Sequence, residues 1–191
     1  MTAILNSFSA VMFLALVSLL ALQAYNIVFH KNIPNFRTAP AIRKKIIQLL
    51  KDDFEARGGA PYTIVDLGSG NGLFTREIAK ALPRAKVKGI ELARLNFMWA
   101  NRQKRRAGLD NLEYLRMNFF DYDLSGADAV VMYLIPYLMK NLGEKLHKET
   151  RPGTLIVSNK FLLQDGWKPV ETISVKTLYL HQEKVFVYRK A

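Results

Sequence analysis

The chain reads as a doubly wound α/β domain with a mostly parallel sheet and a C-terminal hairpin, preceded by one apolar helix. Three observations predict this. Strand-like and helix-like segments alternate from Thr63 to Val157. A glycine-rich loop, Gly68-Ser69-Gly70-Asn71-Gly72, separates a strand from a helix, and no Asp, Glu, Lys or Arg occurs from Thr2 to Phe29. Alternation of that kind sets the strands in parallel and covers both faces of the sheet with helices.

The first 28-residue uncharged run is apolar on every face through its centre, Val11 to Leu22. As a helix it would rise about 42 Å, more than the ~30 Å of hydrocarbon it would have to cross. A buried core helix is the alternative, although a domain of this size rarely hides so long a terminal helix. A cleaved signal peptide would want a basic stretch ahead of the run, and none is present. Lys31, Arg37, Arg43, Lys44 and Lys45 follow the run. By the positive-inside rule they put the rest of the chain on the cytoplasmic side of a single span, with a lipid bilayer as first partner.

Ile33 to Pro40 is a linker with two prolines. Ala41 to Arg57 then has the period of an amphipathic helix, with Ile42, Ile46, Leu49, Leu50 and Phe54 on one side and Gly58-Gly59 ending it. Strands follow at Thr63–Val65, Lys86–Ile90, Leu112–Leu115, Ala127–Met132 and Thr154–Val157. Helices fall at Phe74–Leu82, Arg94–Ala107 and Leu138–Lys148. Glu171–Leu178 and Lys184–Tyr188 alternate in polarity and read as the closing hairpin. The chain so divides into an anchor over 1–30, a basic linker and helix over 31–60, and the α/β domain over 61–191.

Composition narrows the function. The 191 residues are 50% hydrophobic and 23% charged, enough for one domain with a core. Absence of cysteine removes a disulfide scaffold, a thiolate metal site and a cysteine nucleophile. His30, His147 and His181 lack ligand spacing, so no metal is expected. A net charge of +12 favours an anionic partner, a lipid surface or a nucleic acid.

The stretch Val65-Asp66-Leu67-Gly68-Ser69-Gly70-Asn71-Gly72 lets a ligand approach the backbone at a helix N-terminus. It departs from a dinucleotide loop at Leu73 and has no lysine for a phosphate-binding loop. Asp66 would repel a pyrophosphate and attract an ammonium, which suits an amino-acid group. Glu91 ends the next strand, 25 residues on, where an acid accepts both hydroxyls of a ribose. An amino acid joined to a ribose points to S-adenosylmethionine as cofactor.

On these residues the sequence resembles the class I, Rossmann-like S-adenosylmethionine-dependent methyltransferases, over roughly Thr63 to Val157. The resemblance implies that Asp66 and the loop Gly68, Ser69, Gly70, Asn71 and Gly72 face the methionine part. It implies that Glu91 holds the ribose, with Leu92, Asn118 and Phe119 around the adenine. Asn118 stands where that superfamily usually has an acid, and Asp121 is the fallback. Tyr133, Pro136 and Tyr137 follow the fourth strand, where acceptor-binding residues fall, without the Asn/Asp-Pro-Pro-Tyr form.

The whole arrangement resembles a narrower group, the membrane-anchored lysine methyltransferases that in mitochondria modify the ATP synthase c subunit and the adenine nucleotide translocase. The shared features are the uncharged span, the Ile33–Pro40 segment, the loop, and the ending Val157-Ser158-Asn159-Lys160-Phe161 before Gly166-Trp167-Lys168-Pro169-Val170. This implies a lysine of a membrane protein as substrate, with Thr38 helping to close the cofactor site. No arginine-rich presequence precedes the span, so a bacterial-type plasma membrane is expected ahead of the mitochondrial inner membrane. No general base is assigned, because a nearby sulfonium and an apolar entrance both lower a lysine pKa. RNA, through Arg102, Lys104, Arg105 and Arg106, a phospholipid amine or a quinone remain alternative acceptors, and a non-catalytic binding module the alternative to an enzyme.

Overall fold

The computed structural model describes residues 12–22, 38–59, 61–164, 166–177 and 182–191. The chain falls into two compact units, Met1–Asn35 and Phe36–Ala191. In the first, residues 12–22 are helical (α1) and every one is exposed. The rest of the expected span and most of the Ile33–Pro40 linker lie outside the described residues. Among the described residues no helix is long and apolar enough to cross a membrane.

The second unit is built on one seven-stranded sheet of order β3-β2-β1-β4-β5-β7-β6. Its strands are β1 (Thr63–Leu67), β2 (Lys86–Ile90), β3 (Leu112–Leu115), β4 (Ala129–Met132), β5 (Leu155–Asn159), β6 (Glu171–Lys176) and β7 (Gln182–Arg189). The first five run parallel, and β7 lies antiparallel between β5 and β6. The final hairpin is therefore not simply appended: its second strand enters first, next to β5. Leu178, the end of the expected first strand of the hairpin, and Tyr179 to His181 lie outside the described residues.

Helices α2 (Pro40–Ala56), α3 (Leu73–Ala81) and α4 (Arg94–Ala107) cover one face, and α5 (Met139–Glu149) the other. The two-residue period of the strands sorts the side chains. Ile64, Ala129, Val131, Leu155, Val157, Val185 and Val187 join Ile42, Ile46, Leu50 and Ile78 of α2 and α3 in one core. Val65, Leu67, Val130, Met132, Ile156, Phe186 and Tyr188 join Met139, Leu142 and Leu146 of α5 in the second. Between β3 and β4 no α-helix forms, only a short 3-10 turn, Phe119–Asp121; a second, Pro136–Leu138, precedes α5.

The chain reverses direction across the sheet at β1. From β1 it steps outward through β2 and β3, and then returns to place β4 on the other side of β1. In such sheets the crevice at the carboxyl ends of the two central strands receives the ligand. The segments after β1 and β4 are the glycine loop and Tyr133 to Tyr137.

Away from that crevice, the buried carboxylate of Asp53 organises the other end of the sheet. Tyr62 Oη donates to it at 2.5 Å, Arg57 Nε at 3.1 Å and Arg189 Nη1 at 2.5 Å. Burial, then the hydrogen bond with Asp53, holds the Tyr62 phenol well above its ordinary pKa, so it remains a donor. This joins α2, the start of β1 and the end of β7. Asp53→Ala should destabilise the protein by about 1–3 kcal/mol, chiefly because the buried Tyr62 hydroxyl loses its partner, while Arg57 and Arg189 keep Gly153 O. Thermal unfolding would show the loss, while cofactor affinity measured below the transition should stay at the parent value.

Candidate active site

β1 delivers Asp66 to the crevice on the face of α3, and its side chain is buried. Thr75, in the first turns of α3, donates from Oγ1 to Asp66 Oδ2 at 2.6 Å. Burial pushes the Asp66 pKa up to about 7, with the Thr75 hydrogen bond opposing and the charge of Glu91 adding to the rise. A buried carboxylate in that range is poised to become an anion when a cation arrives beside it. The sequence reading missed Thr75; its place nine residues after Asp66, in the helix that the loop starts, was the available signal.

The loop itself is closed by backbone bonds. Gly68 and Ser69 both donate to Ile90 O, at 3.0 and 2.9 Å, and Gly72 donates to Ser69 O at 3.0 Å. Gly68 and Gly72 have φ of 75° and 72°, in the left-handed region that glycine enters freely. At Gly72 a Cβ would also run into the ring of Tyr114, whose hydroxyl donates to Gly72 O at 2.9 Å. Asn71 Oδ1 accepts from Leu73 N at 3.1 Å, so this side chain starts α3. Its amide oxygen is thereby engaged at the start of α3.

Glu91 is buried at the end of β2. Its Oε2 accepts from Gly70 N at 2.8 Å and its Oε1 from Ala93 N at 2.7 Å. Each carboxylate oxygen keeps a further lone pair, enough for two hydroxyls of one ribose. Leu92 beside it is exposed. Asn118 is also exposed, and its Oδ1 caps the 3-10 turn by accepting from Phe120 N at 3.1 Å. Phe119 follows, half-buried, with its ring 4.6 Å from that of Phe120. Asp121, at the end of that turn, is exposed. Thr38 accepts at its carbonyl from Arg43 Nη1 at 2.6 Å, while Arg43 Nε binds Glu77 of α3 at 2.7 Å. The segment before α2 is thus tied to the helix that the loop starts.

Beyond β4, Tyr133 is half-buried and its ring stacks at 6.4 Å on Phe161. Burial, then the charge of Glu183, raises the Tyr133 pKa, so the phenol is neutral at neutral pH. Pro136 and Tyr137 are exposed on the second 3-10 turn. Phe161 owes its position to a turn at Lys160, whose φ of 71° makes it the one non-glycine residue in the left-handed region among the described residues. Ser158 Oγ closes that turn by donating to Phe161 O at 2.6 Å. The register pairs Met132, the last residue of β4, with Ser158, and β5 ends one residue later at Asn159. Asn159 is 1% exposed, and neither polar atom of its amide has a hydrogen-bond partner. Phe161 and Asn159 were not among the expected site residues, because only the pairing of β4 with β5 brings the end of β5 and the Phe161 ring to the Tyr133 side of the sheet.

The residues fit S-adenosylmethionine. A buried acid stands ready for the ammonium, and Glu91 keeps its lone pairs for a ribose. The buried hydroxyl of Ser69 also has no partner of its own. Among the described residues no group of His, Cys, Asp and Glu is arranged to hold a metal. Fold and site together are those of an S-adenosylmethionine-dependent methyltransferase, and S-adenosylmethionine is its cofactor.

Within that class, residues 66–171 match the ANTKMT methyltransferase domain, and the chain belongs to that family. A protein-lysine N-methyltransferase of Saccharolobus islandicus (strain REY15A) is 29% identical over 168 residues, covering 78% of this chain and 93% of its own. The RNA methyltransferase of Salinibacter ruber, solved with S-adenosyl-L-homocysteine, superposes with a TM-score of 0.70 at 25% identity, over 81% of this chain and 93% of its own. A carboxy-S-adenosyl-L-methionine synthase of Nautilia profundicola (strain ATCC BAA-1463 / DSM 18972 / AmH) is 27% identical over 128 residues, 64% of this chain and 53% of its own.

Two predictions test the cofactor assignment. Asp66→Ala and Glu91→Ala should each weaken S-adenosylmethionine binding at least about tenfold, the loss of a charged hydrogen-bond partner worth ~1.5–3 kcal/mol. Asn118→Ala should do less, and titration calorimetry on the three variants ranks them. The second concerns pH. A carboxyl whose pKa is raised from 3.8 to about 7 favours the fold most below its unfolded value, and loses that contribution as pH rises through 7. The charged form that attracts an ammonium is the high-pH form. Affinity should therefore fall several-fold between about pH 7.5 and 6, and Asp66→Asn should flatten that dependence.

Proposed function

We propose that this enzyme methylates the side-chain amine of a lysine on a membrane protein, and that its N-terminal segment anchors it to the same bilayer on the cytoplasmic side. The observation that carries the acceptor reading is the likeness, over most of both chains, to the Saccharolobus relative named for lysine methylation. The acceptor side of the crevice is compatible with it. Tyr133 and Phe161 offer a stacked aromatic pair, and the Tyr133 phenol is uncharged.

Bound S-adenosylmethionine would supply a methyl group on a sulfonium. Asp66 and Ser69 would hold its amino-acid end, and Glu91 its ribose. The remaining task is alignment and deprotonation of the lysine. At a free pKa near 10.4, losing the proton at pH 7 takes about 4–5 kcal/mol. An apolar, aromatic surround lowers that figure by disfavouring the ammonium. No residue is assigned as a base.

The membrane part of the proposal draws on the uncharged run from Thr2 to Phe29, of which residues 12–22 are helical and exposed. A tether that confines enzyme and target to one bilayer raises their encounter rate with no new contact. The basic residues after the run would sit against anionic headgroups on the cytoplasmic side. A second reading, methylation of RNA, draws on the name of the Salinibacter neighbour and on Arg102, Lys104, Arg105 and Arg106.

Incubation with membranes and isotope-labelled S-adenosylmethionine, followed by mass spectrometry, should place the label on a lysine of a membrane protein. Label confined to RNA or to extractable lipid would overturn the lysine reading. Removing residues 1–30 should leave cofactor affinity near the parent value while methylation of the native membrane target falls by about tenfold or more. Equal rates with and without the segment would remove the tether.

A further inference from the structure

Among the α-helices of the domain, α4 buries the least. Of its 14 residues only Ala100 is buried. Leu95 is 63% exposed, and Met98 and Trp99 are each 53% exposed. Spaced at i, i+3 and i+4, these three form one stripe on the first two turns. The stripe continues at helical spacing through Arg102, Arg105 and Arg106, all exposed. Arg94 and Lys104 bring the basic residues of α4 to five, and the helix has no Asp or Glu.

Such a surface is unstable against water and against most proteins. Three large apolar side chains in line form a patch that a soluble monomer rarely leaves open. A protein partner for five uncompensated cations would need a matching acidic and apolar groove. An anionic bilayer satisfies both halves with no shape requirement. Leu, Met and Trp enter the boundary between headgroups and acyl chains, while arginine stems lie along it with their guanidinium groups at the phosphates.

We propose that α4 is a membrane-contacting helix that inserts its Leu95-Met98-Trp99 end into the interface of an anionic lipid surface. The direction of the stripe matters to the active site. α4 starts three residues after Glu91, at the carboxyl edge of the sheet where the crevice opens. The apolar half is therefore the half nearest the cofactor residues, and the arginine half runs away from them. Seating that end in the headgroups turns the open edge of the sheet toward the bilayer, where a lysine at a helix end or short loop would meet it. The inference rests on the proposed membrane location, yet it uses none of the residues of the N-terminal segment.

The test uses the full chain with Trp167→Phe, which leaves Trp99 as its single tryptophan. Vesicles of phosphatidylcholine with about a quarter phosphatidylglycerol, carrying acyl chains brominated near the headgroup, probe its depth. Trp99 emission should shift to the blue and lose about half its intensity to the bromines, and Leu95→Glu with Met98→Glu should abolish both changes. Both altered positions are exposed, so the variant should keep the parent's S-adenosylmethionine affinity.

Flotation with the vesicles while Trp99 stays unquenched overturns the proposal and leaves the N-terminal anchor standing. Quenching in anionic vesicles that salt reverses, together with loss of flotation, supports α4 and removes the anchor. A blue shift without lipid, unquenched by bromine, overturns the proposal in favour of a covered stripe. Dependence of that shift on protein concentration would name a second copy as the cover, and independence the chain's own apolar segment. A response to an RNA oligonucleotide and none to lipid overturns it as well.

Discussion

The carboxylate of Glu91 is the constraint on which the site depends. One oxygen takes the N–H of Gly70 and the other that of Ala93. A single buried side chain thereby fixes the crest of the glycine loop after β1 to the turn that starts α4 after β2. Charge-assisted bonds to backbone N–H groups are short and directional, so the loop is set before any ligand arrives. Ile90 adds to this by accepting from both Gly68 and Ser69. Remove the acid, and Gly70 and Ala93 lose their common acceptor.

Asp66 works under a different regime. It is fully enclosed and has one side-chain donor, Thr75. Burial raises its pKa, which leaves the carboxylate underpaired in the absence of a cation. Two acids within one loop region thus have separate environments. Glu91 is satisfied by the backbone and serves as scaffold and hydrogen-bond acceptor, whereas Asp66 is held short of a counter-charge. Asp53, at the far end of the sheet, is the contrasting case, since two arginines and a tyrosine answer it and its role is to join α2 to β7.

The surfaces of the domain are as uneven as its acids. α2 and α3 bury complete apolar stripes, but α4 gives the core little beyond Ala100 and part of Phe97. Its outward stripe therefore adds little to the core. A helix that begins at the cofactor site and faces outward with Leu, Met and Trp couples the position of the active site to whatever surface receives it.

Much of this was legible in the chain. The strand–helix alternation was enough for a doubly wound sheet, and Val65 to Gly72 with Glu91 was enough for the cofactor, because these are local patterns. The period of side chains and the residue types that a turn or a ribose demands do not depend on distant partners. What the tertiary structure decided was non-local. No spacing rule shows that β7 slots in beside β5, since register between strands is set by which faces must be buried together. For the same reason Phe161 reaches Tyr133 only through the pairing of β4 with β5. The basic run of α4 was visible from the start. That Leu95, Met98 and Trp99 stay uncovered was decided by packing, because hydrophobic period marks a face without saying which partner takes it.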